Sequence, residues 1–221
     1  SLALRADLPG GQGGSVDNHI HHDFVEWWIV LEGELKFEIG DYPPIIARQH
    51  DIVTSPLGTH HLITTTGTKK SIRLIVGYPG SDHSDTKPRG TKAIPFPDED
   101  GPPNLIHTKI DQLMLSKGVP PWDEVVVDNE HVKATLIYHA QGMANRPHWH
   151  PDENEWCLLL KGEVSYHYSE NREPFHMKEG DVVFMPKGFR HELTTISDEP
   201  SLRLAIGTSK EHLIYYDDDN D

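Results

Sequence analysis

Two clusters of imidazole and carboxylate carry the chemistry legible in this chain. In the second half, His148-x-His150 is followed after four residues by Glu155, and His191 returns much later, after a Pro186-x-Gly188 turn. Along an extended segment alternate side chains share a face, so His148 and His150 point the same way. Three neutral imidazoles and one carboxylate suit Zn, Mn, Fe or Ni, whereas Ca and Mg prefer oxygen shells. A divalent ion held by one carboxylate keeps positive charge. It would attract a carboxylate, enolate or phenolate oxygen and lower the pKa of what it binds. A lone His-x-His pair would mean little, because 16 histidines in 221 residues give roughly one such pair by chance.

The pattern occurs twice, and that removes coincidence. His19-Ile20-His21 matches His148-Trp149-His150 at an offset of 129, as do Glu26-Trp27 with Glu155-Trp156 and Gly33-Glu34 with Gly162-Glu163. Pro56-x-Gly58-x-x-His61 matches Pro186-x-Gly188-x-x-His191 at 130, and so does Ser71-Ile72-Arg73-Leu74 with Ser201-Leu202-Arg203-Leu204. One inserted residue between the blocks fits a hairpin loop. The metal ligands read from the repeat are His19, His21, Glu26 and His61 in the first half and His148, His150, Glu155 and His191 in the second. The repeat also selects His61 over its neighbour His60, because Arg190 precedes His191.

Ligands from such remote positions can converge only if short strands close a barrel around them. The chain is punctuated by 18 glycines and 17 prolines. Between them lie short segments rich in β-branched and aromatic residues, among them Trp27–Leu31, Leu35–Ile39, Ile72–Val76, Lys133–Tyr138, Trp156–Leu160 and Leu202–Ile206. This reads as an all-β chain of sandwich or barrel type. One helix is expected over Leu105–Ser116, with Asn104 as its cap and Gly118 at its end. Residues 1–85 form a first domain, 86–118 a Pro-rich connector with that helix, and 119–221 a second domain. A strand over Trp122–Val127 precedes the second copy of the motif and has no visible counterpart before the first.

The arrangement resembles the cupin superfamily. Its first motif is matched by Gly142, His148, His150, Glu155 and Gly162, and its second by Gly180, Pro186, Gly188 and His191. Thr195 stands where that second motif often ends in Asn. The first half matches through Gly13, His19, His21, Glu26, Gly33, Pro56, Gly58 and His61, with His50 replacing the opening Gly of motif two. The resemblance implies a bicupin: two tandem jelly-roll barrels, each holding one divalent transition metal (Fe, Mn, Ni or Zn). It also implies a catalytic role for Glu155, and for Glu26 by repetition, as a ligand able to shift and accept a proton. A homodimer is the default it suggests.

Around the ligands, alternation places Trp28 and Cys157 in register on the ligand face, so Trp28 should narrow the first pocket and Cys157 leave the second roomier. Arg73 and Arg203 hold equivalent strand positions, and Arg203 or Arg146 could clamp an anion. His139, His167 and His176 have no repeat support and read as structural. The expected function is that of a metal-dependent dioxygenase on a small oxygenated acid or phenol. The alternatives are a non-redox or decarboxylating metalloenzyme (isomerase, lyase, Mn decarboxylase) and a non-catalytic small-molecule-binding bicupin.

Composition excludes other classes. The formal charge is −15 and there is no basic stripe, which argues against nucleic acid. No run of about 18 apolar residues suggests a membrane span. Cys157 is the only cysteine, which rules out an intrachain disulfide. With no signal-like stretch in the first 25 residues, the expected location is the cytoplasm.

Overall fold

A computed structural model describes residues 2–8, 18–78, 80, 101–168, 172–208 and 213–215. Gly13, residues 86–100 of the Pro-rich connector and residues 217–221 lie outside them. The chain divides into two compact units, Ser1–Ser116 and Lys117–Asp221.

In the first unit the strands are β1 (Leu2–Asp7), β2 (Glu26–Glu32), β3 (Glu34–Ile39), β4 (Ile45–Arg48), β5 (Asp51–Ser55), β6 (His61–Thr65), β7 (Ser71–Val76) and β8 (His107–Lys109), followed by helix α1 (Ile110–Lys117). They form two sheets, β1-β7-β2-β5-β8 and β4-β3-β6. The second unit has β9 (Trp122–Asp128), β10 (Lys133–His139), β11 (His148–Trp149), β12 (Glu155–Lys161), β13 (Glu163–Tyr168), β14 (Phe175–Lys178), β15 (Val182–Met185), β16 (His191–Thr195), β17 (Ser201–Gly207) and β18 (Ile214–Tyr215). Its sheets are β15-β12-β17-β10-β9 and β14-β13-β16-β11-β18.

Each unit closes its two sheets on one apolar core. Trp28, Val30 and Val53 from one sheet meet Leu35, Phe37, Ile39 and Ala47 from the other. In the second unit Cys157, Leu159 and Met185 meet Val164, Tyr166, Met177 and Leu193. Strand alternation makes this possible, because every second side chain of β3 and of β13 faces inward.

The turns that join ligand strands depend on backbone conformation. Gly33 and Gly162 have φ of 80° and 79°. A Cβ on Gly33 would lie 2.5 Å from the Lys70 carbonyl oxygen, and one on Gly162 would lie 2.8 Å from Ser197 Oγ and 3.0 Å from Ser201 Cα. His50 keeps the left-handed turn that Gly180 makes in the other repeat, at φ 70°. The two donate equivalent backbone hydrogen bonds, His50 to Val30 at 2.7 Å and Gly180 to Leu159 at 2.8 Å.

One expectation changes and one holds. The helix starts at Ile110, not Leu105: residues 107–109 form β8, paired antiparallel with β5. Asn104 is therefore six residues upstream of the helix and does not cap it, while Gly118, at φ 80°, follows its end. The other holds: among the described residues the first unit has no counterpart of the strand over Trp122–Val127. β1 pairs with β7 as β10 pairs with β17, so β1 matches β10, and β9 is the strand peculiar to the second unit.

Candidate metal centres

Pairing between strands brings the ligands together. His19 and His61 are directly opposed through reciprocal backbone hydrogen bonds of 3.3 and 3.0 Å, and His148 faces His191 in the β11–β16 pair. Gly58 N–H donates to the His21 carbonyl at 2.7 Å, and Gly188 N–H donates to that of His150, also at 2.7 Å. The Pro-x-Gly turns are thereby fastened to the His-x-His segments. Glu26 and Glu155 open β2 and β12.

The structure gathers all eight expected ligands into two groups, His19/His21/Glu26/His61 and His148/His150/Glu155/His191. Within each, one donor atom per residue lies within 4.8 Å of the others. In the first group Nε2 of His19 is 3.1 Å from that of His21 and 3.0 Å from that of His61. Glu26 Oε2 is 3.0 Å from His61 Nε2, 3.2 Å from His21 Nε2 and 3.7 Å from His19 Nε2. In the second, Glu155 Oε2 is 3.0 Å from His191 Nε2 and 3.8 Å from His150 Nε2.

Hydrogen bonding on the far side of the rings fixes which nitrogen faces the centre. A carbonyl oxygen only accepts, so Nδ1 of His148 donates to Arg146 (2.8 Å), that of His191 to Phe189 (3.1 Å) and that of His61 to Thr59 (3.3 Å). Each neutral ring then points its Nε2 lone pair inward. Lone pairs about 3 Å apart repel unless something positive lies between them. Donors at 2.0–2.2 Å from one ion, set at right angles, are themselves about 3 Å apart. Nε2 of His150 and of His191 are buried and make no hydrogen bond among the described residues. The residues present therefore fit a divalent transition metal in each unit.

The charges agree with that fit. Burial works against ionisation of Glu26 and Glu155, but the imidazoles around each outweigh it and hold both carboxyls below their ordinary range. His148 is pushed down to about 4, first by burial and then by the nearby His191. A neutral imidazole is what a metal requires.

The units differ around their ligands. Trp28 is fully buried, with its ring 5.0 Å from that of His61 and 5.4 Å from that of Phe37. Its counterpart Cys157 leaves room, and a cavity of about 320 Å³ in the second unit reaches His148, His150, Glu155 and His191. Burial, only partly offset by Arg203, pushes the Cys157 thiol up to about 12, which favours the protonated form. Tyr215 pairs with His148 from β18 and carries the Arg146 guanidinium 4.0 Å over its ring, so Arg146 does line this cavity. His22 and His176 are exposed and His60 and His167 are outside the two groups.

One residue of the site has no signal in the repeat. Glu153 is buried, 3.4 Å from His150 Nδ1, and accepts from Thr208 N–H at 2.7 Å and from its hydroxyl. Residue 24, its counterpart, is Phe. Only the i, i+3 spacing from His150 could have marked it.

Residues 5–78 and 134–207 each match the family described as the cupin domain. The chain belongs to the cupin family. It is a bicupin, with one candidate metal site in each cupin unit. Among solved structures it is similar to the Lactobacillus farciminis oxalate decarboxylase in complex with formate (TM-score 0.59, 16% identity, 97% of this chain and 79% of that one). A mutant of the Bacillus subtilis oxalate decarboxylase gives TM-score 0.59 at 17% identity, over 98% of this chain and 71% of that one. Another structure of that enzyme, concerned with its Mn(II) centres, gives 0.56 at 18%, over 98% and 71%. At these identities the likeness establishes the fold. Among curated proteins none matches by sequence. No helix among the described residues is long and apolar enough to cross a membrane.

Proposed function

We propose that this bicupin is a metal-dependent lyase that decarboxylates a small carboxylic acid, with Mn(II) held by His148, His150, Glu155 and His191. The observation that carries the reading is that these four donors border a cavity of about 320 Å³. When bound, the ion supplies Lewis acidity toward a substrate oxygen. The other contributions come from the chain. Val125, Ile137, Leu193 and Ala205 line the cavity with apolar surface. Such surroundings destabilise a carboxylate relative to neutral carbon dioxide and so favour cleavage of the carbon–carbon bond. To Glu155, the one carboxylate of the group, we assign the transfer of the proton from the substrate acid to the carbon left behind. Arg146, over Tyr215, offers positive charge for an incoming anion.

The sequence alone favours a dioxygenase, and the same ligand set would serve one. The structural neighbours are oxalate decarboxylases, and they support the decarboxylating alternative. The test is to load the protein with Mn(II), supply oxalate, malonate, catechol and a β-diketone in turn, and follow carbon dioxide release and O₂ uptake together. Carbon dioxide without stoichiometric O₂ uptake is the expected result. Stoichiometric O₂ uptake with a ring-opened or diketone-cleaved product would replace this reading with the dioxygenase.

A further inference from the structure

The arginines at equivalent positions of β7 and β17 have different surroundings. In the first unit Arg73 Nη1 forms an ion pair with Asp7 on the neighbouring β1, and Arg5 binds the same carboxylate at 3.0 Å. In the second unit β10 stands in for β1. Asp7 faces Ser71 as His139 faces Ser201, so His139 occupies the place of Asp7. Arg203 thus keeps the position of Arg73 and lacks its carboxylate. It has instead one 3.4 Å contact from Nη2 to His139 Nδ1. Burial, and secondly the charge of Arg203, hold His139 below its ordinary pKa, which favours its neutral form.

Arg203 is 2% exposed, and its Nη1 has no hydrogen-bond partner among the described residues. A buried guanidinium without a paired acid is costly, and such sites are commonly completed by a ligand. Arg203 also lines the cavity that reaches the metal donors. It lies opposite Leu159, four residues along β12 from Glu155. At about 3.3 Å per residue the two backbone positions are roughly 13 Å apart, a span the two side chains reduce from either end. Among the described residues the carboxylates whose charge acts on Arg203 are those of Asp123 and Glu155. Asp123 is exposed and Glu155 belongs to the metal group, and neither hydrogen-bonds to it among the described residues.

We propose that Arg203 is the anion-recognising group of the second barrel. It binds a carboxylate of a small dicarboxylate whose other end faces the metal donors. In the first barrel Asp7 already occupies Arg73, so the first barrel does not take this ligand. The proposal deepens the decarboxylase reading by naming its substrate class and its barrel.

The experiment is calorimetric titration of the metal-loaded protein with succinate and with butyrate, its monoanionic analogue of equal length. The variants are Arg203→Met, Arg203→Lys and His139→Asp, with metal content measured for each. His139→Asp restores beside Arg203 the acid that the first barrel carries, an arrangement already shown to fit this fold. Wild type should bind succinate more tightly than butyrate. Succinate affinity should fall about ten- to a hundredfold in Arg203→Met and His139→Asp, the range for a hydrogen bond to a charged group. Arg203→Lys should keep part of it, with metal content and butyrate affinity unchanged throughout. Equal succinate affinity in wild type and His139→Asp, or no succinate preference in wild type, would overturn the proposal, whether or not Arg203→Met folds. Arg203-dependent binding without carbon dioxide release from any acid would sink the decarboxylase reading and leave this one standing.

Discussion

His148 shows how a single side chain can be both ligand and liability. Burial, then His191, holds its imidazole at about 4, against an ordinary value of 6.5. Between those two pH values the unfolded chain binds a proton that the folded chain refuses. The contribution of His148 to stability is therefore complete above pH 6.5 and is lost as the pH falls toward 4. In metal-free protein the second unit's melting temperature should drop across that window, and a His148→Ala variant should lose this part of the slope. A wild-type profile that is flat from pH 6.5 to 4 would contradict the assignment. Glu153 acts on the same site from outside. Its carboxylate lies 3.4 Å from His150 Nδ1, where it favours the tautomer that presents Nε2 to the metal. Glu153→Gln removes that charge without breaking a hydrogen bond to His150, so it should weaken metal binding at the second site by about tenfold, the lower end for an outer partner, and leave the first site unchanged. Titration of each site with a competing chelator reads both numbers. The ligands themselves were legible because each appears twice at a fixed offset. Glu153 was not, because Phe24 breaks the repetition at its position.

Elements reveal a second kind of legibility. Strand alternation and Gly or Pro punctuation located most of the strands, since inward side chains recur at every second position and turns need particular backbone angles. β8 escaped because its three residues, His107, Thr108 and Lys109, carry no apolar pattern. The open edge of β5 makes them a strand, by supplying the pairing. β1 escaped for a related reason: it is an edge strand with Leu4 exposed, so its sequence advertises no buried face. With β1 went Asp7, and with Asp7 the difference between the two arginines. The glycine turns give a sharper test of element geometry. Gly33→Ala puts a Cβ 2.5 Å from a backbone oxygen at φ 80°, whereas Gly142, at φ 76°, has nothing within 4 Å of such a Cβ. Both substitutions carry the conformational penalty of about 1 kcal/mol, and only Gly33→Ala adds a backbone clash. Denaturant unfolding should find Gly142→Ala about 1 kcal/mol less stable and Gly33→Ala worse by a further 1–3 kcal/mol. Equal losses would mean that the close approach of β2–β3 to the start of β7 is wrongly drawn.

At the scale of the whole molecule, the two barrels repeat a ligand geometry and diverge in what surrounds it. Each group draws its donors from segments far apart in sequence: His19 and His61 are 42 residues apart, and His148 and His191 lie on β11 and β16. An ion held by such donors fastens strands that the unfolded chain cannot hold together, so metal binding adds to folding stability. For a site at a thousandfold excess of metal over its dissociation constant the gain is about 4 kcal/mol. One candidate centre in each of two compact units predicts two metal equivalents per chain, removable one at a time. His61→Ala should remove the first and His191→Ala the second, each leaving the other equivalent by elemental analysis. Each variant should lower the melting transition of its own unit in calorimetry, and a chelator should lower both. The divergence sets the order of loss as well. In the first centre the buried ring of Trp28 packs beside His61, whereas the second opens onto a cavity, so a chelator should strip the second equivalent sooner. Simultaneous loss of both equivalents in either single variant would show that the centres are coupled through the chain, and the reading of two independent centres with different surroundings would have to be abandoned.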